Sequence, residues 1–77
     1  MEHILIVEDD PALGRGLVLA LESAERACTL ASDCAEARRA LAASSFDLAN
    51  FDINLPDGSG LTLLEETRAA GGPPVIL

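Results

Sequence analysis

Lysine is missing from this sequence altogether, as are tryptophan and tyrosine. All five basic residues are arginine, against thirteen acids, and the formal charge is −8. Phosphate backbones are held by Lys and Arg, so this balance argues against direct contact with nucleic acid. It favours a cation or a basic partner surface, although solubility alone accounts for most of the acids. With Phe46 and Phe51 as the only two aromatics of the Phe, Trp and Tyr class, the core must be built from Leu, Ile, Val and Ala. Cys28 and Cys34 lie too close together to staple much chain and match no metal-ligand spacing. Reduced thiols in a cytoplasmic protein are the expectation. No apolar run approaches the roughly 20 residues that a membrane helix needs, and the start Met1-Glu2-His3 is no signal peptide.

What is present alternates. Ile4–Val7 is an unbroken β-branched-rich run that stops at charges, as a buried parallel strand does. Asp10 and Pro11 read as an N-cap and first helical position. Ala12, Leu13, Leu17, Ala20, Leu21 and Ala24 then recur at helical steps and predict the apolar face of a first helix. Cys28–Ala31 reads as a second strand, and Asp33 with Glu36 as a capping box. Ala37, Ala40 and Leu41 form the stripe of a second helix, whose Arg38-Arg39 pair reads as solvation. Asp47–Phe51 reads as a third strand, in which Asn50 is a polar intruder. The segment Asn54–Gly60 is dense in turn residues, Asp57 among them. A third helix carries Leu61, Leu63, Leu64 and Thr67 and stops at Gly71-Gly72. Val75–Leu77 starts a fourth strand.

Strand and helix in alternation imply an α/β fold, a doubly wound parallel sheet with right-handed crossovers. Ligands of such sheets sit outside the carboxyl ends of the strands, where the strand order reverses. Glu8 and Asp9 leave the first strand at that edge and Asp52 leaves the third. In the order 2-1-3-4 these strands are neighbours, so three carboxylates converge. A hard divalent cation relieves their repulsion, and Mg²⁺ suits one or two carboxylates plus waters and phosphate oxygens. An aspartate can also attack phosphorus to give an acyl phosphate.

Taken together, Ile4-Leu-Ile-Val-Glu-Asp-Asp-Pro11, Asp52-Ile-Asn-Leu-Pro-Asp-Gly-Ser-Gly-Leu61 and Pro74-Val-Ile-Leu77 resemble the receiver domain of bacterial two-component response regulators. The resemblance implies a flavodoxin-like fold. It makes Asp52 the phosphoacceptor, Asp9 a direct Mg²⁺ ligand and Glu8 a ligand acting mainly through water. The backbone carbonyl of Asn54 completes the protein's share of the metal shell, and Pro56 and Gly60 shape the loop after the acceptor. It further implies a sensor histidine kinase as partner and a signalling rather than an enzymatic role. The closest flavour of motif is that of receivers joined to winged-helix DNA-binding domains, so DNA enters only through an effector domain outside this sequence. On this reading residues 1–77 are a partial receiver, ending after the fourth strand. The family's fourth helix, fifth strand and fifth helix, its switch Ser or Thr and its Lys would lie beyond.

Two other classes compete. A partial receiver exposes a strand edge, which would suit an assembly module, through a homodimer or a swapped element, without phosphotransfer. A phosphatase of the haloacid-dehalogenase type also uses a strand-end Asp, but wants an acid two residues on, where this chain has Asn54.

Overall fold

Residues 1–77 are described by a computed structural model. Strand β1 (Glu2–Val7) runs through the middle of the sheet, and its last four residues are buried. Helix α1 (Pro11–Leu21) follows, and strand β2 (Arg26–Ala31) returns parallel to β1. Helix α2 (Cys34–Ala43) leads to β3 (Leu48–Phe51), which pairs with the other side of β1. Two-residue strands β4 (Asn54–Leu55) and β5 (Gly58–Ser59) form an antiparallel hairpin. Helix α3 (Gly60–Ala69) and strand β6 (Val75–Ile76) complete the fold. The main sheet has the order β2-β1-β3-β6, all parallel. With β6 as the fourth strand of the sheet, this is the expected 2-1-3-4 arrangement of an α/β, flavodoxin-like fold. The hairpin was not expected; two-residue strands are too short to leave a period in sequence.

The pleat divides the sheet into two apolar faces. Leu5 and Val7 join Ala49 and Phe51 on the face covered by α2 and α3, where Cys34, Ala37, Leu55 and Leu63 complete a buried cluster. Ile4 and Ile6 alternate to the opposite face and are equally buried, with α1 packed across β1 and β2. The face of α1 is rotated from the predicted one. Gly14 is its buried residue, with Leu17, Val18 and Leu21 half-buried, whereas Ala12, Leu13, Ala20 and Ala24 are exposed.

Helix ends explain where the elements start and stop. The Asp10 carboxylate accepts from Ala12 N and Leu13 N, as its N-cap reading requires. Asp33 accepts from Glu36 N, but Glu36 answers to Ser32 N and its hydroxyl rather than to Asp33. These bonds hold the Glu36 carboxyl below its ordinary pKa. α3 exits through Gly71 N to Arg68 O and Gly72 N to Thr67 O, a Schellman pair that needs the left-handed φ of 71° at Gly71. Asn50 is half-buried rather than sealed, and its amide is not among the buried polar groups lacking a partner. Arg38 also departs from expectation: its guanidinium crosses to α3 and holds both Glu66 oxygens, at 2.9 and 3.1 Å.

Candidate metal and phosphoacceptor site

The acids gather because backbone bonds carry the strand ladders past the last apolar residue. Glu8 N donates to Ala31 O of β2, and Asp52 N donates to Val7 O of β1. Glu8, Asp9 and Asp52 therefore emerge together at the carboxyl edge of the sheet. One carboxylate oxygen from each lies within 4.8 Å of the others. Glu8 and Asp52 are half-buried, and Asp9 is exposed.

This is an electrostatically uneasy arrangement. Glu8 Oε2 is buried with no hydrogen-bond partner. Burial, first, and then the neighbouring carboxylate of Asp52 and the charges of Asp9 and Asp10 push the Glu8 carboxyl up to about 7. No arginine pairs with any of the three. Crowding and burial thus favour the protonated form of Glu8. A divalent ion offers the better remedy, since its two positive charges offset most of the charge on the three acids and it gives the orphaned oxygen a water-mediated partner. The donor set is all oxygen and hard, which fits Mg²⁺.

Backbone geometry after Asp52 is tightly fixed. Gly60 N donates to Ile53 O at 2.7 Å. A Cβ on Gly60 would lie 2.0 Å from the carbonyl oxygen of Asp52, so only glycine lets α3 start there. Asn54 opens the hairpin, exposed, two residues past Asp52. Pro56 sits at the hairpin tip beside Asp57.

Asp57 is the residue whose role the sequence did not reveal. It was expected to serve only its own turn. Instead its Oδ1 accepts from Cys34 N at 2.7 Å and its Oδ2 from Ala35 N at 3.0 Å. These backbone donors hold its carboxyl below the usual range. Cys34 itself is buried, and burial with the adjacent Asp57 carboxylate raises its thiol. Cys28 is half-buried and raised chiefly by burial, as a small apolar filler would be. His3 lies far from the acids, at the opposite edge of the sheet, bonded to Thr29 Oγ1 and tilted against Phe46.

Comparison with known proteins adds family and fold to these observations. The family described as "Response regulator receiver domain" matches residues 4–77. The swarming motility regulation protein RssB of Serratia marcescens is 43% identical over 76 residues, covering 97% of this chain and 35% of that protein. The transcriptional regulatory protein PmrA of Pectobacterium parmentieri is 42% identical over 65 residues, covering 84% of this chain and 29% of that one. The chain thus spans about a third of the length of these curated relatives. Among solved structures, the response regulator TrrA of Thermotoga maritima in complex with Mg²⁺-BeF aligns with a TM-score of 0.85 at 30% identity, over 91% of this chain and 61% of that one. In its complex with the histidine kinase ThkA, TrrA aligns with a TM-score of 0.91 at 29% identity, over 100% and 67%. The three strand-end acids, the parallel sheet that presents them and a family match over nearly the whole chain converge: this chain belongs to the response regulator receiver domain family.

Proposed function

We propose that Asp52 accepts a phosphoryl group from a sensor histidine kinase, as the phosphoacceptor of a cytoplasmic two-component signalling protein. The observation that carries this is the convergence of Glu8, Asp9 and Asp52, with one Glu8 oxygen buried and unpartnered. Asp9 and Asp52 would hold Mg²⁺ directly, the Asn54 backbone carbonyl would complete the protein's ligands, and Glu8 would act through water. When bound, the ion supplies positive charge against the carboxylate and the phosphoryl oxygens. Asp52 supplies the nucleophile: a carboxylate oxygen bonds to phosphorus as the bond from phosphorus to the donor's nitrogen or oxygen breaks. The Asp52 backbone, pinned by its N–H on Val7 O and by Gly60 against its carbonyl, keeps that carboxylate at the edge of the sheet.

Several features favour a signalling role over hydrolytic turnover. Asn54 stands where a phosphatase of the strand-end Asp class would place its general acid. The kinase complex of TrrA supports a histidine kinase as partner. PmrA, a transcriptional regulatory protein, supports an output in transcription through a DNA-binding domain outside these residues. No helix is long and apolar enough to cross a membrane.

Incubation with acetyl phosphate and MgCl2, followed by intact-mass measurement, tests the reading. One phosphoryl group should be gained, and the gain should vanish in Asp52→Asn and in excess chelator. An absent gain, or one that persists in Asp52→Asn, would falsify it.

A further inference from the structure

The N-terminus of α2 receives two carboxylates where one would serve. Its own N-cap, Asp33, takes Glu36 N, and the backbone carbonyl of Asp33 takes Ala37 N. The remaining first-turn donors, Cys34 N and Ala35 N, both go to Asp57, from 23 and 22 residues away. In other helices such donors go to nearby capping side chains or to water. Here they hold the tip of the β4–β5 hairpin, whose base is already tied by Gly60 N to Ile53 O.

That hairpin is the segment between Asp52 and α3, and it contains Asn54. The other end of the connection reaches the acidic pair. α2 follows β2 directly, and the last residue of β2, Ala31, accepts from Glu8 N through its carbonyl. One run of bonds therefore links Asp57 at the hairpin tip, the start of α2, the end of β2 and the Glu8 backbone.

We infer that Asp57 is a positioning residue for the metal site, fixing the Asn54 segment relative to Glu8 and Asp9 so that Mg²⁺ affinity depends on it. This rests on the function proposed above and deepens it. Both carboxylate oxygens are used, one per N–H, so Asn cannot replace Asp without turning an amide NH₂ toward a backbone N–H.

Calorimetric titration of the 77-residue chain with MgCl2 alone, alongside Asp57→Asn, Asp57→Ala and Asp57→Glu, tests it. The control is Asp47→Ala, which removes a carboxylate from a backbone N–H (His3) at the opposite sheet edge. Folded fraction is followed by circular dichroism, and affinities are compared at temperatures where each variant is folded. Asp57→Asn and Asp57→Ala should bind Mg²⁺ roughly tenfold more weakly, Asp57→Glu should recover part of the loss, and Asp47→Ala should bind as the parent does. Asp57 variants that lose thermal stability but keep the parent's Mg²⁺ affinity would reduce Asp57 to a helix cap and overturn the inference. Equal weakening in Asp47→Ala would overturn it too, since destabilisation anywhere would then suffice. A parent chain that binds no Mg²⁺ would overturn the proposed function as well.

Discussion

The two edges of the sheet handle carboxylates in opposite ways. At the amino edge, Asp47 accepts from His3 N while its own N–H donates to His3 O, both at 2.8 Å. The His3 ring then pairs with Thr29 and rests on Phe46 with ring centres 4.5 Å apart. Asp47 and His3 thus each have a partner within the protein. At the carboxyl edge, three acids crowd together and one oxygen is buried without any. The backbone at that edge is nonetheless tied, through Glu8 N to Ala31 O, Asp52 N to Val7 O and Gly60 N to Ile53 O. The proposed function rests on unsatisfied side chains held by a bonded backbone, and the amino edge shows the same residue types with their partners inside the fold.

The largest expected effect breaks the backbone half of that contrast. Gly60→Ala places a Cβ 2.0 Å from the Asp52 carbonyl oxygen, and two pieces of backbone cannot both stay. Destabilisation of about 3 kcal/mol or more is expected, at the upper end of overpacking costs. Urea unfolding measures it. A loss below about 1 kcal/mol would mean that the α3 start yields easily and is not what fixes Asp52.

Glu8→Gln tests the side-chain half. Removing the carboxylate form of Glu8 should stabilise the metal-free chain by about 1 kcal/mol above pH 7, a rise of a few degrees in midpoint, while reducing the stabilisation that MgCl2 confers by mass action. The pH dependence has a definite sign. The Glu8 carboxyl is raised from 4.5 to about 7 in the folded chain. Between those values the folded chain keeps a proton that the unfolded chain has released. Its contribution to stability is complete below the unfolded value and is lost as pH rises through about 7. Asp57, Glu36 and Glu66 are lowered, so they act oppositely, losing stability as pH falls below the ordinary carboxylate range. The midpoint of the metal-free chain should therefore decline as pH rises toward about 7 and level off above it, and Glu8→Gln should flatten that decline. A midpoint insensitive to both would show that the acids are not strained.

A third effect, of similar size, belongs to the amino edge. Asp47→Ala leaves His3 N–H without its acceptor and should cost about 1 kcal/mol, with phosphoryl uptake at Asp52 unchanged. Altered uptake would mean that the two edges are coupled through β1.

These contrasts also show what the sequence made legible. Short strands that end at acids place Glu8, Asp9 and Asp52 on one edge, because parallel pairing alone aligns strand ends. The face of α1 was illegible for a physical reason: Leu17-Val-Leu-Ala-Leu21 is apolar all round, so no stripe stands out, and Gly14 is buried although it has no side chain to mark it. Asp57 reads locally as a turn because its partners are more than 20 residues away and are backbone amides, which carry no residue signature.

Arg38 teaches the same lesson at the smallest scale. In sequence it is half of a solvated pair; in the fold it bridges α2 to α3 through Glu66, whose carboxyl it lowers. The bridge crosses a groove of about 590 Å³ between α2 and α3, lined in part by Phe46, Leu63 and Thr67. Both partners remain about half exposed, so water competes for each and salt screens the pair. Arg38→Gln should accordingly lower the midpoint only slightly at low ionic strength, and the difference should vanish at about 1 M salt. A deficit that persists in high salt would mean that the arginine acts through packing of its stem across the groove, since screening removes the charge but leaves apolar contact intact.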